Sequence, residues 1–458
     1  MRDVDLTTGA IPGHFRTVAV PAIFGMVFST LYNVVDVWFA GLISTQAQAG
    51  LAIGFQAFFI TMAVGFGLGS AMSALVGNAS GRKDMDEARR IAAQGITYAT
   101  ITATTLMIAS FWFGPELIKL VSEPGGYRDA ATRYFQFLAF ALPGFLLAFG
   151  ANGILQARGD TQSMQRALMV AFFANIGLNP LFMFGVPGIW DGLGFNGIAL
   201  ATVISQTGVA LWVLRQVLRR DMMKAVTRAE FTPNRADTLQ ITTQMLPTSS
   251  AIMIMFLSGF VVQFALKGFG EEALAAYGVA LRIEQLLLLP VLGMTGALLP
   301  IAAQNFGASH PHRVREATWF CWKLGFAMTL VASPLLWFGG EAAMRVFTSD
   351  PAVIAIGASY LRVDSLLFPI YMMLFSINSL LQALKRPIWT TWISLYRQGI
   401  AIALFIWLFV GVLDFDVWGV WFGIATAVTS GWLVALLVVD RVARAEIGGL
   451  FAHRTAST

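Results

Sequence analysis

Twelve apolar runs, each close to the length that crosses a bilayer, dominate this chain of 458 residues. A hydrocarbon core needs roughly 20 predominantly apolar residues per helix. The runs fall at about 17–43, 49–77, 91–114, 134–156, 167–190, 192–214, 240–266, 273–305, 317–340, 353–382, 388–413 and 417–439. In lipid the backbone has no water to bond to, so runs of this kind must be helices. Only 12% of the residues are charged, against about 25% in a typical soluble domain. That is too few to cover a soluble surface of this size. The 57% hydrophobic content excludes disorder, which goes with low hydrophobicity. The expected fold class is an all-α polytopic membrane protein with twelve transmembrane helices. The first run is too long for a signal-peptide core and reads as a retained helix.

The longest polar stretch lies at 215–239 and divides the runs six and six. The halves repeat at an offset of 226: Pro21 matches Pro247, Tyr134 matches Tyr360, Pro143 matches Pro369, and NGILQA at 152–157 matches NSLLQA at 378–383. Matches at one spacing over so long a stretch mark an internal duplication. The expected organisation is an amino-terminal six-helix lobe (1–214), a linker (215–239) and a carboxy-terminal six-helix lobe (240–458). Six is an even number, so both repeats start on the same side and are parallel, related by an axis along the membrane normal.

Of the 30 Lys and Arg residues, 21 lie in the termini and the even-numbered loops. The odd-numbered loops hold few, among them Lys119, Arg128, Lys267 and Arg345. By the positive-inside rule both termini are cytoplasmic, as expected for a multi-pass protein of the cell (inner) membrane. The same rule accounts for the net charge of +5, so nucleic acid is not an expected partner. The lone Cys321 cannot form an internal disulfide, and His310 and His312 lack acidic or Cys company for a metal site.

Ionisable side chains inside a membrane cost about 2.5–3.5 kcal/mol at a helix centre on insertion scales and default to functional roles. The windows hold Asp36, Arg282, Glu284, Lys323, Arg362, Asp364 and Arg397. Asp36 stands alone in the first half, with no cation in any first-half window. Such a carboxylate takes up a proton or binds a cation. Its available neighbours are amides and a phenol. Asn175 and Asn179 are four apart and share a helix face, Asn152 lies on the fourth span, and Tyr32 and Asn33 lie one turn before Asp36. Pro180 and Pro21 remove backbone donors and are the expected points of helix interruption and bending. In the second half, Arg282 with Glu284 and Arg362 with Asp364 are expected to neutralise one another across the eighth and tenth spans. Lys323 and Arg397 are expected near cytoplasmic ends, snorkelling. No P-loop is present, so ATP would not drive transport on this chain. No nucleophile–base pair or metal cluster sits at membrane depth, which argues against an enzyme.

These features together resemble the multidrug and toxic compound extrusion (MATE) transporters over essentially the whole length. The likeness rests on the six-plus-six repeat, Pro21 fifteen residues before Asp36, LYNVVDVWFAG around Asp36, VGNASGRKD at 76–84, AAQNFGASH at 302–310, the paired LQA segments and ANIGLNP at 174–180. The resemblance implies two pseudo-symmetric six-helix bundles around a central cavity. It implies a functional monomer in the lipid bilayer, without a cofactor, that exports cationic amphiphilic small molecules in exchange for protons or sodium. Asp36 and Asn175 fall on the family's amino-lobe cation site and Asn152 on a cavity position. Asn179 stands where some members have an aspartate. Glu284 and Asp364 are similar to carboxylates of another branch. The alternative is a lipid-linked oligosaccharide flippase of the same superfamily. Those proteins favour a cationic cavity, and the first half here has no intramembrane cation.

Overall fold

The computed structural model describes residues 4–122 and 125–450. Apart from one isolated bridge between Val186 and Trp190, the regular structure of the described residues is helical. The first repeat runs through α1 (Ile11–Ile43), α2 (Thr45–Gly81), α3 (Met85–Val121), α4 (Gly126–Ala139), α5 (Leu142–Ala157), α6 (Gln162–Phe184) and α7 (Phe195–Leu218). The second runs through α8 (Arg235–Lys267), α9 (Glu271–Gly307), α10 (Pro311–Arg345) and α11 (Pro351–Ala383). It continues into α12 (Ile388–Ser394), a π segment (Leu395–Ala401), α13 (Ile402–Ile406), a second π segment (Trp407–Val412) and α14 (Val417–Ile447).

Among the described residues, eleven stretches are long and apolar enough to cross a membrane, taking Ile388–Val412 as one. The fourth expected span is not a single rod. It is α4 and α5, bent by 52° at their junction. Pro143 is the cause: it sits in the first turn of α5, where its missing N–H costs nothing, but it cannot continue α4. Large apolar side chains such as Trp112, Ile189, Phe264 and Phe338 are exposed. In water such a surface would aggregate, whereas in lipid it is the expected exterior.

Pro180 does not interrupt its helix. α6 continues to Phe184 and ends at Gly185, whose φ is +75°. α1 likewise runs unbroken through Pro21. In both cases the proline costs one backbone bond rather than the helix.

The chain gathers into two compact units. One takes residues up to Leu6 and Val20–Ser249, the other Thr7–Ala19 and the residues from Ser250 onward. Both α1 and α8 therefore change unit along their length, one at Ala19/Val20 beside Pro21, the other at Ser249/Ser250 just past Pro247. The two prolines are repeat equivalents.

In the first unit α2 packs on α5 at van der Waals limits. A Cβ on Gly153 would lie 2.1 Å from the Gly69 carbonyl oxygen, so only glycine permits this approach. Helix starts are capped by short side chains: Ser44 accepts from the Ala47 N–H at 3.0 Å, and Asp84 from the Glu87 N–H at 2.9 Å. Each such cap satisfies a backbone donor the helix cannot, for about 1 kcal/mol.

Part of the linker is folded onto α3 in the first unit. Arg89 pairs with Glu230 at 2.8 Å, Gln94 donates to the carbonyls of Glu230 and Thr232 at 2.6 Å each, and Thr97 donates to the Phe231 carbonyl at 2.9 Å. The Asn234 N–H returns a bond to the Gln94 side-chain oxygen at 3.1 Å. Partial burial pushes the Glu230 carboxyl up, but the Thr227 N–H, the Arg89 guanidinium and the Thr227 hydroxyl together hold it below the usual carboxylate range. A carboxylate depressed in the folded state stabilises it above the ordinary carboxylate pKa, and that stabilisation is lost as pH falls through the lowered value. Docking of 227–234 is thus expected to persist at pH 6 and to loosen only in acid below the ordinary glutamate range. Limited proteolysis across that range checks this, with Glu230→Gln expected to release the segment at neutral pH.

In the second unit Trp421 is fully buried and stacks on Tyr277, with ring centroids 6.1 Å apart. Its indole N–H donates to Ser359 at 3.0 Å. Trp322 likewise donates to Ser376 at 2.6 Å. Buried indoles usually find such acceptors, and these tie α10 and α14 to α11.

Candidate functional site

Asp36 is buried on α1 and lies against α6 and α7. Asn179 Nδ2 donates to Asp36 Oδ1 at 2.8 Å and to Asn175 Oδ1 at 3.0 Å. Asn175 and Asn179 are both fully buried, one turn apart on α6. The Thr202 hydroxyl on α7 donates to Asp36 Oδ2 at 3.1 Å. No ion pair reaches Asp36 among the described residues. Its carboxylate is held by two neutral donors, which would remain usable partners if it were protonated.

The site also carries unused polarity. Asn175 Nδ2, Asn179 Oδ1 and the Tyr32 hydroxyl are buried without a hydrogen-bond partner. Buried polar groups are normally satisfied, so their concentration around one carboxylate sets this site apart from the apolar interior.

Two expected neighbours do not bond Asp36. Asn33 donates to the Ser29 carbonyl of its own helix at 3.0 Å. Asn152 makes no bond to Asp36, and its Oδ1 is buried unpaired. Thr202 was not anticipated. Its signal was present, since Thr202 and Ser205 recur at helical spacing among small buried residues of α7, but a hydroxyl in an apolar helix more often bonds its own backbone.

The second repeat holds a different cluster. Tyr360 on α11 donates to Glu284 on α9 at 2.7 Å. Asp364, one turn beyond Tyr360, is fully buried, and neither of its oxygens has a hydrogen-bond partner. Tyr277 meets Tyr360 edge-on at 5.3 Å. The expected neutralisation by Arg282 and Arg362 is absent: both arginines are exposed, while Asp364 is buried and Glu284 partly so. The reason is helical geometry. Residues two apart point to opposite sides of a helix, so with Glu284 and Asp364 turned inward, Arg282 and Arg362 turn outward, away from the carboxylates of both helices. Lys323 is exposed, as a snorkelling lysine would be. Arg397 lies inside the span Ile388–Val412 rather than at an end.

The two clusters occupy non-equivalent repeat positions. At the 226-residue offset, Asp36, Asn175, Asn179 and Thr202 correspond to Val262, Ala401, Phe405 and Val428. Glu284 and Asp364 correspond to Phe58 and Leu138. Each repeat keeps polar groups where the other is apolar.

The family model described as MatE matches the chain twice, at residues 21–181 and 247–407. The chain belongs to the MatE family. The two matches begin 226 residues apart, the repeat spacing read from the sequence. This MATE chain is therefore a membrane transporter of small molecules and not an enzyme. Among its relatives is a probable multidrug resistance protein, YoeA, of Bacillus subtilis, 23% identical over 92% of this chain and 90% of that protein. Another is an FAD transporter of Shewanella oneidensis, 24% identical over 83% of this chain and 84% of that protein. Among solved structures, an outward-facing multidrug resistance MATE transporter of the MOP superfamily superposes with a TM-score of 0.88 at 22% identity, covering 97% of this chain and 98% of that one. At that identity the structural likeness establishes the MATE fold: all-helical, with two pseudo-symmetric repeats.

Proposed function

We propose that this transporter is a secondary active antiporter that exports amphiphilic, mainly cationic, compounds in exchange for protons, with Asp36 as the coupling residue. One observation carries the reading: Asp36 is buried with only neutral hydrogen-bond partners. Protonation removes the charge buried there without breaking an ion pair. It should favour closer packing of α1 on α6 and α7, and deprotonation the opposite. Proton occupancy then biases the protein between two shapes, which exchange with a substrate requires. Pro21 and Pro247, at the points where α1 and α8 change unit, are the proposed hinges. The chain works as a monomer in the cell membrane with both termini cytoplasmic. The test is dye efflux in reconstituted vesicles under an imposed proton gradient, then under an imposed sodium gradient. Efflux driven only by sodium would overturn proton coupling, and passive flux would overturn antiport.

A second reading is favoured by Asp364, whose oxygens are buried and unpartnered beside the Glu284–Tyr360 pair. In it, the second-repeat carboxylates carry a further proton. Because no cation pairs with Asp364 among the described residues, Asp364→Asn removes a desolvated charge without orphaning a partner. The variant is expected to be at least as heat-stable as the native protein in a thermal-shift assay. If its efflux is also normal, coupling rests on Asp36; loss of gradient-driven efflux with intact stability would place a second coupling step there.

A further inference from the structure

Arg397 lies about 14 Å along the span that starts at Ile388, at 1.5 Å per residue, too deep for an end. It does not snorkel. Its Nε is shut off from solvent and has no hydrogen-bond partner, and the side chain as a whole is only partly exposed. No carboxylate pairs with it among the described residues. The group within electrostatic reach is the Tyr371 phenol. A guanidinium at this depth is costly unless it meets an anion.

The surroundings are built around it. Arg397 sits in the π segment Leu395–Ala401; π turns inside helices are rare and frequent at functional sites. Its aliphatic stem lies in a slot left by Gly431 of α14, where any Cβ would come within 2.6 Å of Arg397 Cγ and 2.7 Å of its Cβ. The equivalent positions of the first repeat are Ala171 and Ser205, so the long side chain and the glycine that admits it occur together only in the second. Next to Gly431, Trp432 keeps its indole N–H buried without an acceptor.

We propose that Arg397 is an anion-recognition point of the second repeat, receiving a carboxylate or phosphate group carried by an amphiphilic substrate. This rests on the export reading above and extends it: transported molecules include zwitterions, whose anionic group is read here. The guanidinium fork suits a planar or tetrahedral oxyanion through paired N–H donors, and a desolvated site makes each bond count for more than in water.

The test uses the full chain in phosphatidylcholine nanodiscs and fluorescence titration with rhodamine B, which has a free carboxylate, and with its ethyl ester. Arg397→Gln should bind the acid about tenfold more weakly, the loss of one charge-assisted bond, and the ester unchanged. Arg397→Lys should fall between. Gly431→Ala, which keeps the arginine but displaces its stem, should weaken the acid selectively and serves if Arg397→Gln does not fold. Equal binding of the acid by native and variant proteins, or equal loss of both dyes, overturns the proposal. A further arm adds phosphatidylglycerol to the discs. Arg397-dependent binding of that lipid, with no discrimination between the dyes, would make the site a lipid anchor and overturn the substrate assignment. Failure of the export reading is seen separately, as absent gradient-driven flux of the ester in vesicles.

Discussion

An Asp36→Asn protein should insert, fold and bind dye like the native chain, yet show gradient-driven efflux no greater than empty vesicles. The substitution keeps the shape of the side chain. Its amide oxygen still accepts from Asn179, now at 2.8 Å to Asp36 Oδ1. Its amide nitrogen faces Thr202, whose hydroxyl rotates from donor to acceptor because a hydroxyl serves as both. What disappears is titration alone. A buried charge without a cationic partner contributes nothing to stability that its neutral isostere lacks, so the thermal midpoint should hold or rise. Loss of transport with intact stability isolates coupling from folding. Wild-type efflux by a well-expressed variant would end the assignment. Replacing the Thr202 hydroxyl, as in Thr202→Val, should be milder. It removes one neutral bond, worth about 1 kcal/mol, and leaves the carboxylate able to exchange its proton, so efflux should slow without losing its gradient dependence.

The parts of this site that could be read from the sequence were those with a chemical reason independent of packing. Asp36 stood out because carboxylates are scarce in lipid, and Asn175 with Asn179 because four residues make one helical turn. Thr202 was invisible for the opposite reason: its hydroxyl is satisfied in any helix by its own backbone, and only the docking of α7 on α1 gives it Asp36 instead. Asn152 and Asn33 were at suitable depth, but depth fixes neither the direction nor the partner of a side chain. The arginine–carboxylate pairs failed on rotation about the helix axis, which charge counting ignores. Arg397 failed on packing. Nine residues already carry it about 14 Å into its span at 1.5 Å per residue, and its stem lies in the slot at Gly431, some 34 residues later in the chain. The twelve crossings were legible because hydrophobic length is a local property. The bend at Phe140 and Ala141 had its mark in Pro143, yet other prolines, Pro21 and Pro180 among them, lie inside unbroken helices. A proline permits a break, and the neighbouring helices decide whether it occurs.

Asp160→Ala should be among the most destabilising single changes in the first unit. Asp160 closes the start of α6 twice over, accepting from the Ser163 N–H at 3.0 Å and from the Ser163 hydroxyl at 2.6 Å. The same carboxylate is bonded by the Arg220 guanidinium from beyond the end of α7, and both side chains are buried. Removing one partner of a buried pair leaves the other's charge desolvated, at a cost of about 3–5 kcal/mol, and the lost cap adds about 1 kcal/mol. Arg220→Met should cost less, because the Asp160 carboxylate keeps both Ser163 bonds while an apolar side chain refills the volume. The order of thermal midpoints in detergent should therefore be native, then Arg220→Met, then Asp160→Ala; the reverse order would show that the pair does not hold the helices. The effect should also reach transport. α6 carries Asn179 and α7 carries Thr202, the residues that grip Asp36, and Asp160 with Arg220 ties those two helices together more than 20 Å away, at about 1.5 Å per residue along α6. Freed at that end, the helices can shift against each other. Asp160→Ala should then lose coupling before it loses insertion, leaving dye binding in place while gradient-driven efflux falls.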